Sequence, residues 1–353
     1  MRRKPTFRRK LRNRNKTADG LFHRRVGDML LALRSGAAHL LASAFPYPAM
    51  STPHDHHFIP AFYLAQWCAD PASDASRLVE YSIPYPGKLV AKLVGRRATG
   101  FERDLYAFPE LPPDKAQFIE QQFFDYADRV AADALQMLLA GHIRWTSETR
   151  SAWSRFVIGV HLRHPDAIPE LRAAARSVWN GNGETFQREY ELIRTPDDPP
   201  TFDERIAKID PLVPIKVEVN AIIKMVDNEK INGHINNMIW DVLDVSGASH
   251  QLLTSDRPVV ISKLKDPGGS IIMPISPTKL FLAVNDGRWL QSVRAERKRN
   301  IVSRANQQTI ERARRFVWAA DNSQEAFIRK YMGKKPEPLP LFPNLGRYTT
   351  QGG

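Results

Sequence analysis

"SIIMPISPTKLFLAVND", residues 270–286, decides the fold class, because it breaks with the helical texture of the residues before it. Together with "QLLTSDRPVVIS" (251–262) it reads as β, with Pro258 and Pro277 marking breaks or bulges. Near the other end of the chain, "RLVEYSI" (77–83) and "GKLVAKLVG" (87–95) alternate as strands do and are divided by the Pro84–Gly87 turn. The letters between these β ends read as helix. The expected class is therefore α+β: a mostly helical middle, with a small mixed or antiparallel sheet built from N- and C-terminal strands.

"AQFIEQQFFDYADRVAADALQMLLA" (116–140) is the clearest helix, with Ile119, Phe123, Tyr126 and Val130 on its expected buried face and Gly141 ending it. "SAWSRFVIGVHLR" (151–163) is a second, stopped near "RHP" because Pro165 disfavours helix at His164. "PLVPIKVEVNAIIKMVDNEKINGHINNMIWDVLDV" (211–245) alternates at Ile215, Val217 and Val219 and reads as helix afterwards. "LLTSDRPVV" and "IIMPISPTKLFLAV" are expected in one sheet.

At 353 residues and 42% hydrophobic, the chain can bury a sizeable core. It has no apolar run of the roughly 18 residues that a membrane helix needs. Cys68 is the only cysteine, which fits a reducing compartment, and a cytoplasmic location is expected. The net charge of +13 is unevenly placed. Residues 1–50 hold twelve Lys/Arg against Asp19 and Asp28, a balance of +10, which leaves +3 for the rest. Met50 reads as the true start, with 1–49 a basic leader that is disordered or not translated. Residues 50–322 are expected to form a single α+β domain, and 323–353 a helix remnant and a Pro/Gly-rich tail. With the leader set aside, a nucleic-acid partner has weak support and no membrane partner is expected; the ligand or substrate stays open.

Seven stretches occur in order: "HHFIPAFYLAQW", "FERDLYAF", "FIEQQFFDYADRVAADALQML", "LRHP", "LLTSDRPVV", "IIMPISPTKLFLAV" and "ANQQTIERARRFVWA". In words and order they resemble the domain-of-unknown-function 4238 family over roughly residues 54–320. The resemblance implies a mostly bacterial intracellular protein and brings no established activity. Asp128 stands where that family commonly has glutamate, and His164 where Ser or Thr is usual.

The candidate chemistry starts from "HDHH" (54–57). Metallo-β-lactamase, amidohydrolase and H-E-x-x-H patterns do not fit, and Walker, Rossmann and G-x-S-x-G signatures are absent. His56 and His57 are candidate general bases or metal ligands; Asp256, Glu120 and Asp128 are candidate orienters or further ligands. Arg163 and Tyr63 are the substrate-binding candidates, Arg163 because its fork suits carboxylates and phosphates alike. A divalent metal ion is a candidate cofactor, with His56, His57 and Asp256 as candidate ligands. Each has a bland counterpart: a capping histidine, an Asx-turn aspartate, an exposed helix acid or a paired arginine. Two functions stay open. One is a hydrolase of phosphodiester or phosphate-ester bonds, the other a binding or regulatory module in which the same cluster is a structural polar network. If "HDHH" opens a site, His57 should lie near Asp256, with Arg163 reaching the same place and His54 outside. His57, Glu120, Arg163 and Asp256 around one open concavity would favour the enzyme, and scattered or sealed and fully paired side chains the module.

Overall fold

The computed structural model describes residues 54–112, 116, 120, 124–141 and 145–336. The basic leader, Ile119, Phe123 and most of the Pro/Gly-rich tail lie outside them. β1 (Asp55–His57) leads through Pro60 into a short helix, α1 (Ala61–Leu64), and one further helical turn. β2 (Arg77–Tyr85) and β3 (Lys88–Gly95) form the expected hairpin, and β4 (Phe101–Arg103) returns to pair antiparallel with β1. The helical middle follows: α2 (Asp125–Ala140), α3 (Ser147–Leu162), α4 (Ala167–Gly181), α5 (Gly183–Glu191), α6 (Phe202–Ile209), α7 (Val213–Val226) and α8 (Glu229–Asn237). The β-rich end holds β5 (Ile239–Asp244), β6 (Thr254–Ser255), β7 (Val260–Ile261), β8 (Ser270–Ser276) and β9 (Lys279–Val284). It closes with α9 (Gly287–Arg294), α10 (Lys298–Glu311), β10 (Phe316–Ala319) and α11 (Glu325–Tyr331).

The architecture is α+β, and the two ends of the chain meet as expected. β10 lies between β2 and β6 in an antiparallel sheet of order β3-β2-β10-β6. The expectation of one sheet for the C-terminal strands needs correction. A second antiparallel sheet runs β5-β9-β8-β7, and "LLTSDRPVV" contributes β6 to the first sheet and β7 to the second. Asp256–Val259 is the crossing between them. Pro258 sits there, where no ladder donor is required of it, and Pro277 lies in the turn between β8 and β9.

The inner strands of both sheets show the two-residue period of strands with two covered faces. In β8 and β9, Ile271, Met273, Ile275, Phe281 and Ala283 face the helical middle, while Leu280, Leu282 and Val284 pack towards Leu290, Ile301 and Val302 of α9 and α10. In the first sheet Leu78 and Trp318 join the central core, and Val79, Tyr81 and Val317 pack with Ile310 of α10 and Ile328 of α11. Each fully buried ring or branched side chain contributes about 1.5–3 kcal/mol by leaving water.

The helices differ from expectation in two places. α2 ends at Gly141, in the left-handed region at φ 72°, as its letter implies. Its buried face, however, is Ala131, Ala134, Leu135 and Leu138, while Tyr126 is 58% exposed and Val130 half-buried. The alanines allow α2 and α3 to approach closely, so the contact face is set by small residues rather than by the large ones. "MIWDVLD", read as helix, is β5 (with Met238 just before it): all six of its residues pair with β9, and that long-range ladder outweighs the local pattern. The ambiguous Ile215–Val219 stretch is helical, with Pro214 in the first turn of α7.

Candidate active site at the end of the third helix

α3 begins with Thr146, whose side chain accepts the Thr149 N–H at 3.1 Å, and stops at Leu162 ahead of Pro165. The two residues at the stop, Arg163 and His164, are 1% exposed and enter different clusters.

Arg163 enters the first. Its Nη1 and Nη2 donate to the two Asp128 carboxylate oxygens at 3.1 and 2.8 Å, a bidentate pair across α2 and α3. The guanidinium carbon lies 5.0 Å from the Phe124 ring centre and 5.9 Å from that of Phe156. Burial would lower the Arg163 pKa, but the charge and hydrogen bonds of Asp128, with Tyr106 and Glu120 adding to them, together outweigh it and hold the guanidinium above its ordinary value. Tyr106 ties the cluster together: its hydroxyl donates to the Arg163 carbonyl at 2.9 Å, and its backbone N–H donates to His56 Nδ1 at 2.9 Å. The Tyr106 ring stacks on that of His56 at 5.4 Å.

His57 and Glu120 complete this group. The Glu120 carboxyl accepts the His57 backbone N–H. Burial drives the Glu120 pKa up to about 8; Asp125 and Asp128 add to the rise while Arg163 and the His57 N–H oppose it. Burial also pushes the His57 imidazole down to about 4, with the positive charge of Arg163 acting in the same direction. His57 Nε2, Glu120 Oε2 and Arg163 Nε are buried with no hydrogen-bond partner among the described residues.

His164 and Asp256 form the second cluster, with both side chains fully buried and Nε2 lying 3.5 Å from Oδ2. His164 Nδ1 accepts the Asp166 N–H at 3.2 Å, so the ring proton is on Nε2, facing Asp256. Asp256 itself accepts three backbone N–H groups: Arg314 at 3.0 Å, Arg315 at 2.6 Å and Phe316 at 3.2 Å. It thereby fixes the turn into β10 beside the crossing between sheets. Above it Asp166 meets Arg314 and Arg315, and Arg315 also pairs with Glu102 of β4 at 2.6 Å.

The predicted residues therefore divide. His57, Glu120, Asp128 and Arg163 come together, with His56 behind them against Tyr106. The expected partnership of His57 with Asp256 gives way to two others, His57 with Glu120 and Arg163, and Asp256 with His164. His54 is outside, paired with Asp104 at 2.6 Å on the surface. Tyr63 is fully buried; its hydroxyl meets Thr254 Oγ1 and the Pro274 carbonyl, each at 2.7 Å, linking α1 to both sheets. Among the described residues, no group of three or more His, Cys, Asp or Glu stands together as metal ligands could. His56, His57 and Asp256 are thus not assembled as a ligand set. Tyr106 was missed as a site residue although "FERDLYAF" carries it, because a tyrosine before Ala-Phe reads as core.

A family model described as "Protein of unknown function (DUF4238)" matches residues 55–323. The chain belongs to this family. The DUF4238 match spans both clusters, from His56 and His57 through Arg163 and His164 to Asp256 and Arg315. Neither the curated proteins nor the solved structures gave a match to the chain. No helix among the described residues is long and apolar enough to cross a membrane.

Proposed function

We propose that the chain is a hydrolase of phosphodiester or phosphate-ester bonds, with His57 as general base and Glu120 as general acid. One observation supports this above the others: the His57 imidazole and the Glu120 carboxyl, which accepts the His57 backbone N–H, have pKa values moved in opposite directions, to about 4 and about 8. At pH 7 the imidazole is then unprotonated and the carboxyl holds its proton. Hydrolysis needs that combination, one group to take a proton from the nucleophile and one to give a proton to the leaving oxygen. Arg163 is the cation available to charge developing on a phosphoryl oxygen, and Asp128 fixes its plane. Asp256, with its oxygens committed to Arg314–Phe316, serves in this reading to hold the scaffold beneath His164. The single cysteine fits a reducing compartment, and we place the protein in the bacterial cytoplasm that the family resemblance implies.

The second reading is a binding or regulatory module in which the same residues are a structural polar network. It draws on the near-complete burial of Arg163 and on the bidentate pairing of its two Nη atoms with Asp128. A screen of the full chain against p-nitrophenyl phosphate, bis-p-nitrophenyl phosphate and a labelled oligonucleotide, with and without added divalent cations, separates the two. Turnover abolished by His57→Gln in a cooperatively folded variant supports the hydrolase. No turnover on any of the three substrates leaves the module.

A further inference from the structure

Three buried polar atoms in the first cluster come from three separate parts of the chain and have no hydrogen-bond partner among the described residues. They are His57 Nε2 from β1, Arg163 Nε from the end of α3, and Glu120 Oε2. Buried polar groups in native proteins are satisfied by protein or by bound molecules, so a set of orphans around one charge cluster describes the hydrogen-bonding face of an occupant. The surroundings narrow the choice, since Phe101 lies against the His57 ring and Phe124 and Phe156 against the Arg163 guanidinium.

Each orphan has a defined sense. The other contact of the His57 ring, with the Arg97 backbone, favours the protonated imidazole, as an N–H donated to a carbonyl does. The remaining nitrogen, Nε2, therefore presents a lone pair. Arg163 Nε–H can only donate, its two Nη groups being engaged by Asp128. Glu120 Oε2 belongs to a carboxyl whose other oxygen takes the His57 N–H, and it can donate when protonated or accept when ionised. The occupant must then donate to His57 and accept from Arg163.

We propose that one water molecule bridges His57 Nε2, Arg163 Nε and Glu120 Oε2, and that it is the nucleophile of the hydrolytic reaction. A water donates one O–H to His57, accepts from Arg163, and uses its remaining hydrogen or lone pair for Glu120 in either protonation state. Three bonds are what a buried water ordinarily makes. A phosphodiester oxygen or a chloride has no proton for His57 Nε2, an inorganic phosphate that does carry one is tested for below, and a divalent cation faces the Arg163 charge. In the reaction the water gives its proton to His57 Nε2 as its oxygen bonds to phosphorus. The P–O bond to the leaving group breaks, and the leaving oxygen takes the Glu120 proton. No electrons are exchanged with an outside reagent. The role of nucleophile rests on the hydrolase reading; the binding of the water does not.

The test is a high-resolution crystal structure of the full chain together with long-range ¹H–¹⁵N spectra of the ¹⁵N-histidine protein at pH 7. One isolated density peak within hydrogen-bond distance of all three atoms is expected, with His57 protonated on Nδ1. Its nitrogen shifts should stay in place on adding magnesium chloride or sodium phosphate, and Glu120→Gln should keep the peak, because an amide can still bond a water. A dry site, an Nε2-protonated His57, or a His57 shift that titrates with magnesium or phosphate overturns the proposal. A water in place with no phosphoester turned over sinks the hydrolase and the water's role in it, yet leaves the binding site standing.

Discussion

Glu120→Gln should make the protein more stable at neutral pH while removing its activity. The carboxyl titrates near 4.5 when solvated and at about 8 in the fold, because burial disfavours its charge more than Arg163 and the His57 N–H favour it. A folded-state pKa raised in this way adds stability that is fully present below the unfolded value of 4.5. That stability is lost as the pH rises through 8. Folding at pH 7 must then protonate a group that is ionised in the unfolded chain, over about 2.5 pH units. At roughly 1.36 kcal/mol per unit this opposes folding by about 3 kcal/mol, and by about 5 kcal/mol above pH 8.

Glutamine has the same shape, keeps an oxygen for the His57 N–H and does not titrate. The difference between wild type and variant should therefore be small and constant below pH 4.5, then grow in favour of the variant by about 3 kcal/mol at pH 7. Urea unfolding of both proteins at pH 4, 5.5, 7 and 8.5 measures it, since the other titrating groups are shared and drop out of the difference. A difference that is flat with pH, or a variant less stable than wild type at pH 7, would mean that Glu120 is ionised in the fold as a third partner of Arg163. The general-acid assignment would then fail too.

The same two pKa values define a rate profile. Phosphoester hydrolysis should rise as pH passes about 4, where His57 becomes neutral, and fall above about 8, where Glu120 ionises; a single limb near 6.5 would point to a solvated histidine instead. His57→Gln should gain on wild type as pH falls from 6.5 to 4, because a lowered imidazole pKa gives stability above 6.5 that is lost through 4; the gain should approach 3 kcal/mol by urea unfolding at pH 4. Asp128→Ala should destabilise by about 3–5 kcal/mol by leaving a buried guanidinium without its carboxylate, and Asp128→Leu with Arg163→Met should recover part of that. Asp256→Asn should destabilise by about 3 kcal/mol in urea, because an amide cannot accept the N–H groups of Arg314, Arg315 and Phe316 as a carboxylate does; a variant of unchanged stability would return Asp256 to the list of reacting groups.

The β ends and the helical middle were legible because each is written in a local pattern. Alternation marked β2 and β3, Gly141 closed α2, and Pro165 stopped α3. β5 was not legible, since "IWDVLD" follows helical letters without a turn signal and becomes a strand only through the full ladder with β9. The division into two sheets was hidden for a related reason. Thr254–Ser255 and Val260–Ile261 are two residues each, too short to carry a period, and only their partners, β10 for one and β8 for the other, show that the chain changes sheets at Asp256–Val259.

That crossing also explains why the site was half legible. Residue type indicated His57, Glu120, Asp128 and Arg163, since imidazole, carboxyl and guanidinium are what proton transfer and anion binding require. Residue type could not say how they pair, because pairing depends on where α3 ends. Arg163 and His164 are consecutive at that end, and their side chains diverge, one into the β1–α2 cluster and the other towards the sheet crossing. The imidazole of His164 brings its Nε2 to 3.5 Å from Asp256. An aspartate that looks like the partner of His57 in the sequence is thereby facing a different histidine, with its oxygens already bonded to the turn before β10. What remains for His57 is Glu120 and Arg163, and this smaller group holds the opposed pKa values together with three buried atoms that have no hydrogen-bond partner among the described residues.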